Sequence, residues 1–312
     1  MEDIVTCIIC LGENKLSDIN PLTDEHIIPE FIGGNLVVKN VCKTCNSSLG
    51  DGFEGRLANS FYFKLARQVY DIKGKQKTAP NALSGVYEHE TLGKVRVNDK
   101  NRVLTFPELE VEDLNGSLNI SIKIDKSDLN NAKKELSKKL QRYFKSQGKV
   151  IKKGKLSELV DRFWENASIT NKIIDNPHVT GKFEWNFVDH SLLHIKVAYE
   201  LLVYHFGNDY ISDPVANSLR LCLKQQNLDN GVHFAFLDNC ELSQFIDEIN
   251  HWIYIHKSYC VVSIFGCFSS IVFTAEQSEF IENEACLYKF DVKTGKHTVK
   301  SLMDHLNSLT NT

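Results

Sequence analysis

The sequence predicts an α+β protein in two parts: a small metal-stapled module over residues 1–58, and a larger mixed α/β region over residues 59–312. Three observations predict it. Two C-x-x-C pairs, Cys7/Cys10 and Cys42/Cys45, flank a short glycine-containing segment that cannot bury a core of its own. Apolar residues recur at helical spacing over residues 126–148 and 191–206. Short alternating apolar and polar runs fill residues 84–124 and return after Gly231.

The elements follow in order. Residues 59–72 predict a helix with Phe61, Leu65 and Val69 on one face. GKVRVND, RVLTF and SLNISIKI, within residues 84–124, predict strands joined by Asn/Gly turns. Leu129, Ala132, Leu136, Leu140 and Tyr143/Phe144 then mark a helix that Gly148 stops, and residues 155–167 a shorter one. SLLHIKVAYELLVYHF, residues 191–206, is apolar around most of its circumference, which predicts a buried helix capped by Ser191 and ended by Gly207. Pro214 opens another helix, to about Gln226. VHFAFL, HWIYIH, YCVVSIFGCFSSIVFTA and ACLYKFDV predict a set of strands beyond it.

Composition excludes some classes. A net charge of −4 over 312 residues gives no global field toward nucleic acid, so any basic surface is local. Nine cysteines, four of them in C-x-x-C pairs, fit a reducing compartment and a metal site better than a disulfide framework. The other five, Cys222, Cys240, Cys260, Cys267 and Cys286, are scattered. No signal peptide precedes Cys7, and no apolar run nears the roughly 18 residues of a membrane span. The expectation is a cytoplasmic protein with no membrane contact. Its oligomeric state is open, a homodimer included.

Cys7, Cys10, Cys42 and Cys45 can supply four thiolates to one tetrahedral structural Zn²⁺, because a two-residue spacer turns both sulfurs of a pair toward one metal. Between the pairs stand Glu25-His26-Ile27-Ile28-Pro29 and Gly33-Gly34, and Asn46 follows Cys45 directly. In order and content this resembles the zinc-knuckle branch of the HNH endonuclease family, over the first ~58 residues. The resemblance implies a ββα-metal nuclease core, with His26 as general base and Glu25 and Asn46 as ligands of the catalytic ion. A middle Asn that orients the base is also implied; Asn35 and Asn40 are both candidates, and Asn40 is preferred. Where the family commonly has Asp, this chain has Glu25, with Asp24 as a rival ligand.

The chemistry of the residues stands beside that resemblance. Phosphodiester hydrolysis needs a base for the attacking water and positive charge at the oxyanion and leaving group. A neutral imidazole such as His26 is available near pH 7. One carboxylate and one amide oxygen, completed by water and phosphate, suit Mg²⁺ or another hard divalent ion. Asp51 and Glu54 read as a solvated loop end, and His190 and His194 as core or surface residues without a metal role.

Residues 126–155 hold eleven Lys or Arg against two acids, a net +9. Lys134, Lys138, Arg142 and Lys145 share one helical face and are candidates for contacting nucleic-acid phosphates, duplex DNA above all. The function expected is a metal-dependent HNH endonuclease acting on DNA, in a domain arrangement that the family resemblance links to restriction and phage-defence effectors. The alternative is a zinc-stabilised nucleic-acid-binding protein that does not cleave.

Overall fold

The structure, a computed structural model, describes all residues except 1–5, 14–15, 115–116, 176, 238–248, 257–258, 281–285 and 311–312. Cys240 and Ala285 lie outside the described residues. The α+β class stands, but the chain divides differently from the expected boundary after residue 58. One compact unit joins residues 1–82 to residues 183–312, and the second comprises residues 83–182.

In the first unit, β1 (Leu22–His26) pairs antiparallel with β2 (Val37–Cys42), and the register shifts between Thr23 and Glu25. Helix α1 (Lys43–Leu49) follows directly, then a π-helical turn (Gly50–Glu54), α2 (Gly55–Asn59) and α3 (Phe61–Val69). Helix α3 forms as expected but on a different face. Phe63 and Arg67 are buried, while Leu65 and Val69 are exposed. Aromatic packing decides this, because Phe63 meets Phe31, His190 and Phe268 at ring distances of 5.2–5.7 Å.

The same unit continues at α6 (Phe187–Phe206), numbered after the two helices of the second unit, and α7 (Pro214–Gln225). Helix α6 starts one turn earlier than the sequence suggested. Its cap is Asn186, whose side chain accepts from the Asp189 amide; Ser191 is buried inside the helix and its hydroxyl donates to the Phe187 carbonyl. Residues 189–203 are buried without a break, as an apolar circumference requires. The helix packs on a six-stranded sheet of order β13-β12-β9-β10-β11-β8. Its strands are β8 (Val232–Phe236), β9 (Asn250–His256), β10 (Tyr259–Ile264), β11 (Phe268–Thr274), β12 (Cys286–Asp291) and β13 (His297–Ser301), all paired antiparallel. Helix α8 (Leu302–Thr310) follows β13. A single apolar cluster runs from Cys7, Ile27 and Phe53 through α6 to Ile253, Val262 and Phe290. Removing the N-terminal segment would therefore open that core.

The second unit has its own architecture. Strands β3 (Gly85–His89), β4 (Gly93–Val97) and β5 (Val103–Thr105) form one antiparallel sheet. Strands β6 (Glu108–Leu114) and β7 (Ser117–Lys123) form a hairpin. Helices α4 (Ala132–Ser146) and α5 (Lys153–Asn166) close a small core of Leu136, Leu140, Phe144, Leu156 and Val160. No helix among the described residues is long and apolar enough to cross a membrane.

Candidate active site and metal centre

The four knuckle cysteines converge. Their sulfurs all lie within 4.8 Å of one another, and Cys10 Sγ stands 3.9 Å from Cys42 Sγ. Ligands ~2.3 Å from a tetrahedral zinc sit about 3.8 Å apart, so the spacing fits that ion. Local backbone makes the convergence possible. The first knuckle turns through Leu11 and Gly12, both at positive φ, with the Leu11 amide bonded to the Cys7 carbonyl. The second begins where β2 ends: Cys42 caps α1, and its amide donates to Cys7 Sγ at 3.3 Å. A hydrogen bond from the Cys45 thiol, helped by backbone amides, holds Cys7 down at about 4, while Cys45 is pushed up by the same contact. A thiolate held this way is the form a metal takes.

His26 ends β1, next to the tight loop 27–36. Its Nδ1 lies 3.0 Å from the Gly34 carbonyl. That carbonyl can reach the ring because the loop folds closely on itself: a Cβ on Gly34 would stand 1.7 Å from the Ile28 carbonyl oxygen, and Gly33 has φ +92°. Nε2 of His26 faces Glu30, 3.9 Å from its Oε2, and Lys75 Nζ approaches the same oxygen at 3.8 Å. Glu30 was not singled out in the sequence, although its i+4 spacing from His26 was visible.

Asn46 sits in the first turns of α1 with its amide nitrogen committed. It donates to Thr23 Oγ1 at 3.0 Å and to the Asp24 carbonyl at 2.9 Å. Oδ1 is therefore the atom left to offer a cation, which suits a hard ion. The His26 Nδ1 partner is Gly34 and not Asn40, whose buried Oδ1 has no hydrogen-bond partner among the described residues. Asn35 is exposed, packed where the turn at Gly295 approaches.

Glu25 is placed differently from a solvent-facing ligand. It is 4% exposed, with Oε1 2.8 Å from Lys196 Nζ on α6. Lys196 is fully buried and also lies 2.8 Å from Glu200 and 3.5 Å from Glu54. Burial pushes both Glu54 and Glu200 upward, against the pull of Lys196. Glu54 is thus no solvated loop end; the π-helical turn at Gly50–Glu54 rotates it inward. Asp51, in the same turn, is exposed as expected. Lys196 was missed in the sequence, yet a lysine inside an apolar helix with glutamate at i+4 was its signal.

Other side chains of residues 183–312 also donate to the N-terminal segment, among them Tyr199, Arg220 and His251. Tyr199 Oη donates to the Ile8 carbonyl at 2.6 Å, Arg220 Nη1 to Ile9 at 3.1 Å, and His251 Nε2 to Ile32 at 2.9 Å. His251 accepts the Phe265 amide on Nδ1, which fixes that tautomer. His190 and His194 are buried and held neutral by burial, His190 at about 4 and His194 at about 3.

In the second unit, Lys134, Lys138, Arg142 and Lys145 lie opposite the buried stripe of Ala132, Leu136 and Leu140. Leu129, expected in that stripe, is partly exposed because the chain there is a 3₁₀ turn. Lys138 pairs with Glu135 at 2.7 Å, which offsets part of the basic face.

Two antiparallel strands and a helix, tied by four cysteines, define a ββα-metal module. Residues 7–62 match the family described as HNH endonuclease, and this segment carries that family's module. No curated protein and no solved structure matches the chain.

Proposed function

We propose that the chain is a metal-dependent endonuclease that hydrolyses DNA phosphodiester bonds at His26. The observation that carries this reading is the His26 imidazole. A carbonyl only accepts, so Nδ1 bears the proton and Nε2 keeps its lone pair for a water proton. Glu30 Oε2 stands 3.9 Å from Nε2, on the side where that water would sit. Asn46 Oδ1, and the Glu25 oxygen not bound by Lys196, would hold Mg²⁺ or another hard divalent ion. Such an ion supplies positive charge to the oxyanion and leaving group. The four cysteines would hold structural zinc, which sets where α1 begins and so where Asn46 stands.

Substrate binding is assigned to phosphate contacts from Lys134, Lys138, Arg142 and Lys145, acting on duplex DNA through counterion release. The second unit then serves to position or sense substrate in the cytoplasm, as a restriction or phage-defence effector would need. The alternative, a zinc-stabilised nucleic-acid-binding protein without cleavage, draws support from one observation: Glu25 is engaged by Lys196. Supercoiled plasmid incubated with the protein and Mg²⁺, with chelator, and with Mg²⁺ restored separates the two. Nicking that follows the metal supports the nuclease. Retained zinc with DNA binding but no nicking under any divalent ion supports the alternative.

A further inference from the structure

Lys196 has an unusual placement. It lies at the centre of a helix buried over residues 189–203, and its own side chain is inaccessible. A buried ammonium costs several kcal/mol unless it is fully paired. Here Nζ is surrounded by oxygen: Glu25 and Glu200 at 2.8 Å, Glu54 at 3.5 Å, the His26 carbonyl at 2.6 Å and the Ile27 carbonyl at 3.4 Å. Three carboxyl groups around one ammonium form a buried polar cluster. The two carbonyls are what distinguish it, because they belong to the residue that bears the base and to its neighbour.

We propose that Lys196 is a positioning residue for the HNH site, fixing the His26 main chain so that the imidazole is held on the Gly34 carbonyl with Nε2 outward. This rests on the nuclease reading of His26 and assigns that site a part from outside the family segment, which ends at residue 62. The geometry is a strut. Glu200, one turn along α6, anchors the ammonium from its own helix. Glu25, the residue before His26, anchors it from β1. Between them Nζ donates to the His26 carbonyl. Both ends of the His26 residue are then fixed: the carbonyl by Lys196, the ring by Gly34. A two-point restraint of this kind sets the ring's attack direction, and misplacement by ~1 Å can cost about 10²-fold in rate.

The test uses the full chain with its zinc, labelled at histidine nitrogen, and compares Lys196→Met with Tyr199→Phe. Tyr199 is the control, because it too is buried on α6 and holds a main-chain carbonyl, but at Ile8. Lys196→Met is expected to shift the His26 ring resonances away from the single Nδ1–H tautomer. It should lower kcat for plasmid nicking by about 10²-fold, with KM changed less than about threefold and zinc content unchanged. Tyr199→Phe is expected to lower the unfolding midpoint while leaving the His26 resonances and kcat as in wild type. Should Lys196→Met fail to fold, Lys196→Met/Glu25→Gln removes the buried pair as a unit and carries the same resonance measurement. A folded Lys196 variant with wild-type His26 resonances overturns the proposal. Should the wild-type chain cut no DNA, the nuclease reading falls, and the His26 resonances still decide whether Lys196 positions the ring.

Discussion

Single residues carry the sharpest expectations. Gly34 brings its carbonyl to His26 only because it lacks a Cβ, which would otherwise stand 1.7 Å from the Ile28 oxygen. Gly34→Ala is expected to retain zinc but lose at least 10²-fold in nicking rate, measured on plasmid; a wild-type rate would detach the loop from catalysis. His190 tests burial separately. It stacks 3.5 Å from Trp185 and is held down at about 4 by its apolar surroundings. Its unfolded-state value is near 6.5, so below that pH the unfolded chain binds a proton that the folded chain refuses. Stability from this residue is complete above about pH 6.5 and is lost as pH falls toward 4. At pH 5 the loss is about 2 kcal/mol. His190→Phe keeps the stack, and relative to wild type it should gain about 2 kcal/mol on going from pH 7.5 to 5. Denaturant titrations at the two pH values measure this, and an equal difference at both would contradict it.

At the scale of elements, the cysteine knuckles and helix α4 carry separate expectations. Cys42 both caps α1 and donates its amide to Cys7, so Cys42→Ser should lose one zinc per chain and, with it, nicking. Elemental analysis beside thermal unfolding checks this; unchanged zinc and an unchanged midpoint would refute the centre. On α4, Lys134, Lys138, Arg142 and Lys145 changed together to Gln should lower the slope of log K against log salt by roughly 0.9 per lost phosphate contact. Folding should survive, because Leu136, Leu140 and Phe144 are untouched. An unchanged slope returns this face to plain solvation. The legibility of these elements was uneven. Strong periodicity gave α4 and α6, and turn residues gave most strands. Helix α3 misled because its two exposed apolar positions, Leu65 and Val69, mimic a stripe, while the buried Arg67 reads as polar. Arg67 is tolerated inside because its guanidinium donates to the Lys73 carbonyl. Strand β13 and helix α8 gave no comparable signal, since β13 is mostly exposed and polar.

The whole molecule explains why the site was only partly legible. The motif EHIIP…GG…CxxCN pointed to His26 and Asn46, whose side chains meet Gly34 and, for Asn46, Thr23 and Asp24. Partners of the N-terminal segment lie more than 130 residues away in sequence: Lys196 at the His26 carbonyl, Asp189 at Arg56 of α2 at 2.7–2.8 Å, and His251 at Ile32. No local pattern announces such pairings, because they exist only once α6 and the sheet are packed on the knuckles. The core of residues 1–58 is therefore completed by α6 and the sheet. Expressed alone with zinc, residues 1–58 should show no cooperative unfolding transition, since Ile27, Phe53 and Leu57 would lose the rest of their core. A sharp transition in that fragment would restore the smaller boundary.

His26, held on Gly34 in the four-cysteine ββα module, is proposed as the base of a DNA-cleaving site. The most direct measurement is the initial nicking rate of supercoiled plasmid in Mg²⁺ by wild type and by His26→Ala, matched for zinc content and unfolding midpoint. Metal-dependent nicking by wild type is expected, with a rate lower by about 10²–10⁴-fold in the variant. Equal rates in the two proteins would contradict it.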